Sequence, residues 1–213
     1  MTLVTEDLLR LAPVIPVVVV DDPEDAVPLA RALAAGGLPA VEITLRTATA
    51  VEAIRLVSAH VPEAVVGAGT VVTPPQVDDV VDAGARFLVT PGTTPTLLDA
   101  LLESERPFLP GAATASEVVA LLERDVTAAK LFPAAPLGGT ALLRAFAGPF
   151  PQVRWCPTGG ISQETAAEYL RLPNVACVGG SWMVPPDAVA AGDWGRIEDL
   201  ARAAAQLWPV VTA

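Results

Sequence analysis

The sequence predicts an α/β protein, a (β/α)8 TIM barrel, as a single domain over residues 1–213 with a short lead-in helix at residues 5–12. Three observations predict it. Short runs rich in Val and Ile recur at a spacing of roughly 25 residues, close to that of barrel units. The runs are continuously apolar rather than alternating, as strands covered on both faces are. Each is followed by a segment with helical spacing. A doubly wound open sheet uses the same alternation, but eight similar units with no second domain favour the closed barrel.

The elements follow in order. Ile15–Val20 is the first strand, and Asp22 ahead of Pro23 starts a helix over Pro23–Ala35 that Gly36–Gly37 stops. Val41–Leu45 leads to a helix over Thr49–His60. Val65–Val71 leads to Pro75–Ala83, with Thr73 before Pro74 as the start signal and Gly84 as the stop. Phe87–Pro91 precedes Thr96–Glu103, and Phe108–Ala112 precedes Ser116–Arg124, where Ser116 reads as the N-cap. Ala128–Pro133 precedes Thr140–Ala147. Val153–Pro157 precedes Gln163–Leu172, capped by Ser162, and Val175–Gly179 precedes Asp193–Trp208. The Pro74–Pro75 and Pro185–Pro186 pairs read as tight connections. Trp155, Trp194 and Trp208 read as packing residues.

Composition narrows the function. Hydrophobic residues make up 52% of the chain and charged residues 17%, so a large core is expected and a disordered chain is excluded. The formal net charge is −11. Such a surface repels phosphate backbones and anionic lipid, so no nucleic-acid or membrane partner is expected. An anionic ligand must then be held by local features. Cys156 and Cys177 form no CxxC motif, and the N-terminus lacks the basic start of a secretory signal. The apolar run Ala12–Val20 is too short to span a bilayer and contains two prolines. The expected location is cytoplasmic.

Strand parity then exposes an anomaly. In Val41–Arg46 the apolar residues 41, 43 and 45 share one face, which leaves Glu42, Thr44 and Arg46 pointing into the barrel. In Ala128–Pro133 the same logic turns Lys130 and Phe132 inward. Lys130 is the only lysine in the chain. Barrel interiors are filled with branched apolar side chains, and an unpaired charge there costs several kcal/mol. One reading is a structural ion pair of Glu42 with Lys130 or Arg46. The other is chemistry: an apolar pocket favours the neutral amine, which attacks a ketone to form a Schiff base, while a neighbouring carboxylate moves protons. Glu42 is the candidate for that role. His60, at the end of a surface helix, reads as structural. One histidine and two separated cysteines argue against a metal site, and no cofactor is implied.

Two glycine pairs follow the last two strands, Gly159–Gly160 ahead of Ser162 and Gly179–Gly180 ahead of Ser181. Such pairs let backbone N–H groups converge on an anion, and barrels often hold phosphate after these strands. The competing reading is tight turns. Gly67-Ala68-Gly69-Thr70 offers another close backbone approach, and Arg46 can fork onto a carboxylate. The sum is a ligand with a ketone, a carboxylate and a distant phosphate.

Seven segments together resemble one family: VEITLRT at 41–47, VGAGTV at 66–71, TPG at 90–92, PGAATASE at 110–117, KLFPA at 130–134, CPTGGI at 156–161 and VGGSWMVP at 178–185. They are similar to the class I aldolases that cleave 2-keto-3-deoxy-6-phosphogluconate, with the related 4-hydroxy-2-oxoglutarate aldolases, in family order from Ile15 to Trp208. The resemblance implies Lys130 as the Schiff-base lysine and Glu42 as the general acid/base. It implies Arg46 and Thr70 at the pyruvate carboxylate, Pro91 and Phe132 around the iminium, and Thr158 at the distal end. Phosphate would be gripped by Gly159, Gly160, Gly180 and Ser181. The products would be pyruvate and D-glyceraldehyde 3-phosphate, with 4-hydroxy-2-oxoglutarate as a second substrate, in a homotrimer using no metal. Thr158 before the glycine pair favours the gluconate over the galactonate type, the first alternative. Two other classes stay open: a phosphate-binding isomerase or synthase, and a non-catalytic phosphosugar-binding module.

Overall fold

A computed structural model describes residues 3–208. Eight parallel strands alternate with helices. Helix α1 (Thr5–Leu8) leads into β1 (Val14–Val18), α2 (Pro23–Ala35), β2 (Ala40–Thr44), α3 (Ala50–His60), β3 (Val65–Gly69) and α4 (Pro74–Asp82). Then come β4 (Leu88–Val89), α5 (Pro95–Glu103), β5 (Phe108–Leu109), α6 (Ala115–Leu122), β6 (Ala128–Leu131) and α7 (Gly139–Ala147). The chain continues through β7 (Arg154–Pro157), α8 (Gln163–Leu170), β8 (Val178–Gly180), α9 (Pro186–Ala190) and α10 (Trp194–Ala205).

The strands pair in the order β5-β4-β3-β2-β1-β8, with β6-β7 as a separate pair. Isolated bridges join the two groups, Gly111 to Lys130 on one side and Thr158 to Gly179 on the other. The parallel ring therefore runs through all eight strands in sequence order, which is the barrel topology rather than the open sheet.

Several strands are shorter than the apolar runs that predict them, and proline explains the loss. Pro91, Pro110 and Pro133 lie just beyond β4, β5 and β6, where they supply no ladder donor. The eighth strand starts at Val178 instead of Val175, which touches β7 only through a bridge to Trp155.

Helix starts follow side-chain capping. The Asp22 carboxylate accepts from the Glu24 N–H at 3.0 Å. In α6 the N-cap is Thr114, not Ser116, which lies inside the helix. The Thr114 hydroxyl accepts from the Glu117 N–H, and the Glu117 carboxylate accepts in return from the N–H groups of Ala113 and Thr114, both at 2.8 Å. Pro185–Pro186 is not a plain connection: Pro186 opens α9, as its fixed φ permits at a first helical position. His60 closes α3, where its carbonyl accepts from Arg31.

Parity divides the core in two. Val14, Val18, Val41 and Ile43 face the helix layer. Ile15, Ala40, Val65, Phe87, Val89, Leu109, Ala128, Cys156 and Cys177 fill the barrel, and Leu8 and Leu9 close its N-terminal end. Leucines on the short α1 thus act as a plug. Trp155 is fully buried and stacks on Phe146 at 5.5 Å. Trp208, in contrast to the packing role expected of it, is 42% exposed.

Candidate active site

Above the apolar plug, the interior turns polar. Glu42 on β2 and Lys130 on β6 are both buried, and Lys130 Nζ lies 3.1 Å from Glu42 Oε1. Two positions four strands apart in sequence order thus meet inside the barrel. Space for the contact comes from β3: a Cβ on Gly69 would run into the Glu42 carboxylate. Glycine there is a steric requirement of the ion pair. Phe132 stands one inward position above, with the ammonium 5.4 Å from its ring centroid.

The rest of β2 departs from the expectation. Thr44 is buried as parity requires, but its hydroxyl donates to the Val18 carbonyl at 2.9 Å, a structural role. Arg46 lies past the strand end and is exposed, so it sits at the barrel mouth rather than inside. There it meets Thr70, Nε donating to Oγ1 at 3.4 Å. Thr70 has φ of 58°, a strained conformation for a threonine that turns the chain immediately after β3.

Pro91 follows β4 at the same level, half-buried. Its loop is held by Thr90, whose fully buried hydroxyl accepts from the Gly111 N–H at 2.9 Å and pairs with Thr93. In the sequence Thr90 shows only as a hydroxyl ending an apolar strand and as the first residue of the TPG segment at 90–92, neither of which predicts this bond.

Immediately after β7, Thr158 is 5% exposed and bonded to its neighbours: its hydroxyl donates to the Cys156 carbonyl at 3.4 Å. Gly159 and Gly160 follow at φ of 99° and 74°, conformations closed to most residues. The bridge from Thr158 to Gly179 sets this turn beside Gly180 at the end of β8 and Ser181 just after it. Among the described residues, no backbone carbonyl accepts from the N–H of Gly160 or Ser181. These donors are the ones an anion would take. A cavity of about 840 Å3 adjoins this end, lined by Val17, Val19, Ser181 and Trp182 and by the carboxylates of Asp21, Asp22 and Asp25. Lys130 does not line it; its side chain is only 5% exposed.

Cys156 and Cys177 lie below Glu42 in the interior. Cys156 stays buried among core residues, 3.9 Å from the Thr158 hydroxyl. The Cys177 thiol is pushed well up from its ordinary range, first by its hydrogen bond with Cys156, then by burial and by electrostatic interaction with the nearby Cys156 and Glu42 side chains. The folded state therefore holds this proton where the unfolded chain releases it. Stability contributed by Cys177 is complete below the ordinary thiol pKa of about 8.5 and is lost as pH rises above it. Urea midpoints of the wild type are expected to fall between pH 8 and pH 10 (roughly the window above a free thiol's pKa), and Cys177→Ala to flatten that slope. Equal slopes would refute the assignment.

Among the described residues, no group of three or more His, Cys, Asp or Glu side chains is placed to hold a metal. Among the same residues, no helix is long and apolar enough to cross a membrane.

Comparison with known proteins bears on the fold and the family. A family model described as KDPG and KHG aldolase matches residues 5–200. The chain is 51% identical over 201 residues to the KHG/KDPG aldolase of Escherichia coli K12, covering 94% of each. It is 50% identical to the 2-dehydro-3-deoxy-phosphogluconate aldolase of Dickeya dadantii, covering 93% of each. Among solved structures, the KDPG aldolase of Legionella pneumophila, with pyruvate captured as a covalent carbinolamine, superposes with a TM-score of 0.92 at 49% identity, covering 94% of this chain and 98% of that one.

Proposed function

This chain belongs to the KDPG and KHG aldolase family, and from that premise we propose that Lys130 is its Schiff-base lysine and Glu42 its proton shuttle. The reaction is cleavage of 2-keto-3-deoxy-6-phosphogluconate to pyruvate and D-glyceraldehyde 3-phosphate through a lysine Schiff base. The observation that carries the assignment is the 3.1 Å contact of two buried, oppositely charged groups inside the barrel, with the chain's one lysine in it.

The chemistry follows from that pair. In the ion pair Nζ holds the proton and its lone pair is occupied. Transfer of one proton to the Glu42 carboxylate leaves a neutral amine, which adds to the C2 ketone. Loss of water from the carbinolamine, with Glu42 as acid, gives the iminium. The iminium withdraws electrons from C3. Once Glu42, again a carboxylate, takes the C4 hydroxyl proton through water, the C3–C4 bond breaks. Its electron pair moves onto C3 as the enamine, and the aldehyde leaves. Protonation at C3 and hydrolysis release pyruvate and restore Lys130.

Around this centre we assign Arg46 and Thr70 to the substrate carboxylate, Pro91 and Phe132 to the walls beside the iminium, and Thr158 to the hydroxylated carbons. Gly159, Gly160, Gly180 and Ser181 would grip the phosphate. That end offers N–H groups and a hydroxyl, which suits a chain whose net charge repels anions at a distance. The names of the curated relatives, at 44–51% identity, favour the gluconate reading over the galactonate and isomerase ones. Three copies and a cytoplasmic location remain part of the proposal; sedimentation of the pure protein reads the first.

The second substrate, 4-hydroxy-2-oxoglutarate, carries a carboxylate where the first carries the phosphate-bearing carbons. Ser181→Ala is expected to lower kcat/KM for the phosphorylated substrate about 10–100-fold, the worth of one charged hydrogen bond. For 4-hydroxy-2-oxoglutarate the change should stay within about threefold. A parallel fall for both substrates would remove Ser181 from the phosphate grip.

A further inference from the structure

The opposite end of the barrel carries a second anomaly of charge. A cavity of about 660 Å3 opens beneath the strands, at the N-terminal face. Its rim holds Arg10 at the end of the lead-in segment, Arg154 at the first position of β7 and Arg171 at the end of α8. Among the described residues that line it, one carboxylate, Glu6, faces the three guanidiniums, a local charge of +2 (three minus one) from these side chains in a chain of net −11. The floor is apolar, with Leu9, Leu172 and Val175 buried, and the exposed indole of Trp208 forms a wall.

Four of the chain's twelve arginines, Arg55, Arg124, Arg196 and Arg202, have their charge met in ion pairs. Among the described residues Arg10, Arg154 and Arg171 have none. Arg154 Nη1 donates to the Pro173 carbonyl at 2.7 Å, which fixes the guanidinium and leaves its other donors free. Three forked donors on the rim of one cavity with an apolar floor suit a compact oxyanion better than a protein surface or a membrane. Four residue steps of β7 separate Arg154 from Thr158, about 13 Å, so one small ligand cannot occupy this cavity and the phosphate grip together.

We propose that this cavity is a second anion site, taking a small, multiply charged oxyanion, either a phosphate ester or a polycarboxylate. Arg10 and Arg171 grip it from the two sides and Arg154 holds it from below. The indole of Trp208 reports its arrival.

Calorimetric titration of the whole protein at low ionic strength, followed also by tryptophan fluorescence, tests this with two probes. Pyrophosphate stands for the phosphate esters and citrate for the polycarboxylates. Saturable binding of at least one is expected. Arg10→Gln with Arg171→Gln should weaken it at least about tenfold while cleavage activity persists, which also shows the variant is folded. Ser181→Ala, altered at the other end, should bind as the wild type does, and added salt should weaken binding. The probe bound more tightly identifies the ligand class. The proposal is overturned if neither probe binds, if the double arginine variant binds both as the wild type does, or if Ser181→Ala abolishes the signal.

Discussion

Lys130→Met is expected to lower cleavage of 2-keto-3-deoxy-6-phosphogluconate by at least about 10⁴-fold, because loss of a covalent nucleophile removes the reaction path rather than a share of its rate. The covalent test is unusually clean in this sequence. Lys130 is the sole lysine, so the only other primary amine of the chain as given is that of Met1. Borohydride reduction of the wild type with pyruvate should place one carboxyethyl group on the peptide containing Lys130, and none there in the variant. Folding must be separated from chemistry. Methionine leaves Glu42 buried with no counter-ion, which in comparable cases costs about 3–5 kcal/mol. Lys130→Met combined with Glu42→Gln removes both charges, so it should recover much of that stability in thermal denaturation and remain inactive. A Lys130 variant that turns over substrate at a rate near the wild type would refute the Schiff-base assignment outright.

The sequence made Lys130 and Glu42 legible for a reason that does not extend to the whole site. A strand's two-residue period tells which side chains share a face, so a charge on an inward face stands out against apolar neighbours at 40, 65, 87 and 128. Parity fails where the strand stops. Arg46 has the inward parity of Glu42, yet β2 ends at Thr44 and the arginine turns into the mouth. Pattern alone does not show that ending, since Leu45 continues the apolar run. The same limit hid the short β4 and β5, whose ladders end at prolines inside apolar stretches. Ser116 loses the α6 cap to the Thr114-x-x-Glu117 box because the box satisfies three backbone donors, those of Ala113, Thr114 and Glu117, and a lone serine only one. Thr90 and the arginine-lined cavity were invisible for a different reason: both depend on contacts between distant segments, which no local period encodes.

Glu42→Gln should leave Lys130 able to trap pyruvate while cleavage collapses, and that contrast is the strongest test of how the pair divides its work. Glutamine has the volume of glutamate and can still accept a hydrogen bond from Nζ at the 3.1 Å separation seen for the carboxylate. It cannot receive the proton that the amine must lose, nor the one that must leave the C4 hydroxyl. General acid/base assistance is typically worth about 10²–10⁴-fold, and kcat is expected to fall within that range. Pyruvate has no C4, so its adduct needs only the loss of the amine proton and the protonation of the departing carbinolamine hydroxyl, which water can perform slowly over a long incubation. Borohydride should therefore still label Lys130 in Glu42→Gln, at a reduced rate and to the same final extent. Were Glu42 only a counter-ion, the neutral substitution would leave the amine freer to lose its proton, and labelling would be at least as fast as in the wild type. Slower labelling together with a collapsed kcat thus separates a proton shuttle from a counter-ion, whereas kcat within a few-fold of the wild type would assign the shuttle elsewhere. The tight seat of the carboxylate against Gly69 argues that its position is specified by the barrel and not by the lysine alone. With the barrel holding the carboxylate, the proton acceptor stays in place when Nζ swings onto the substrate, as a base that serves both the amine and the C4 hydroxyl must.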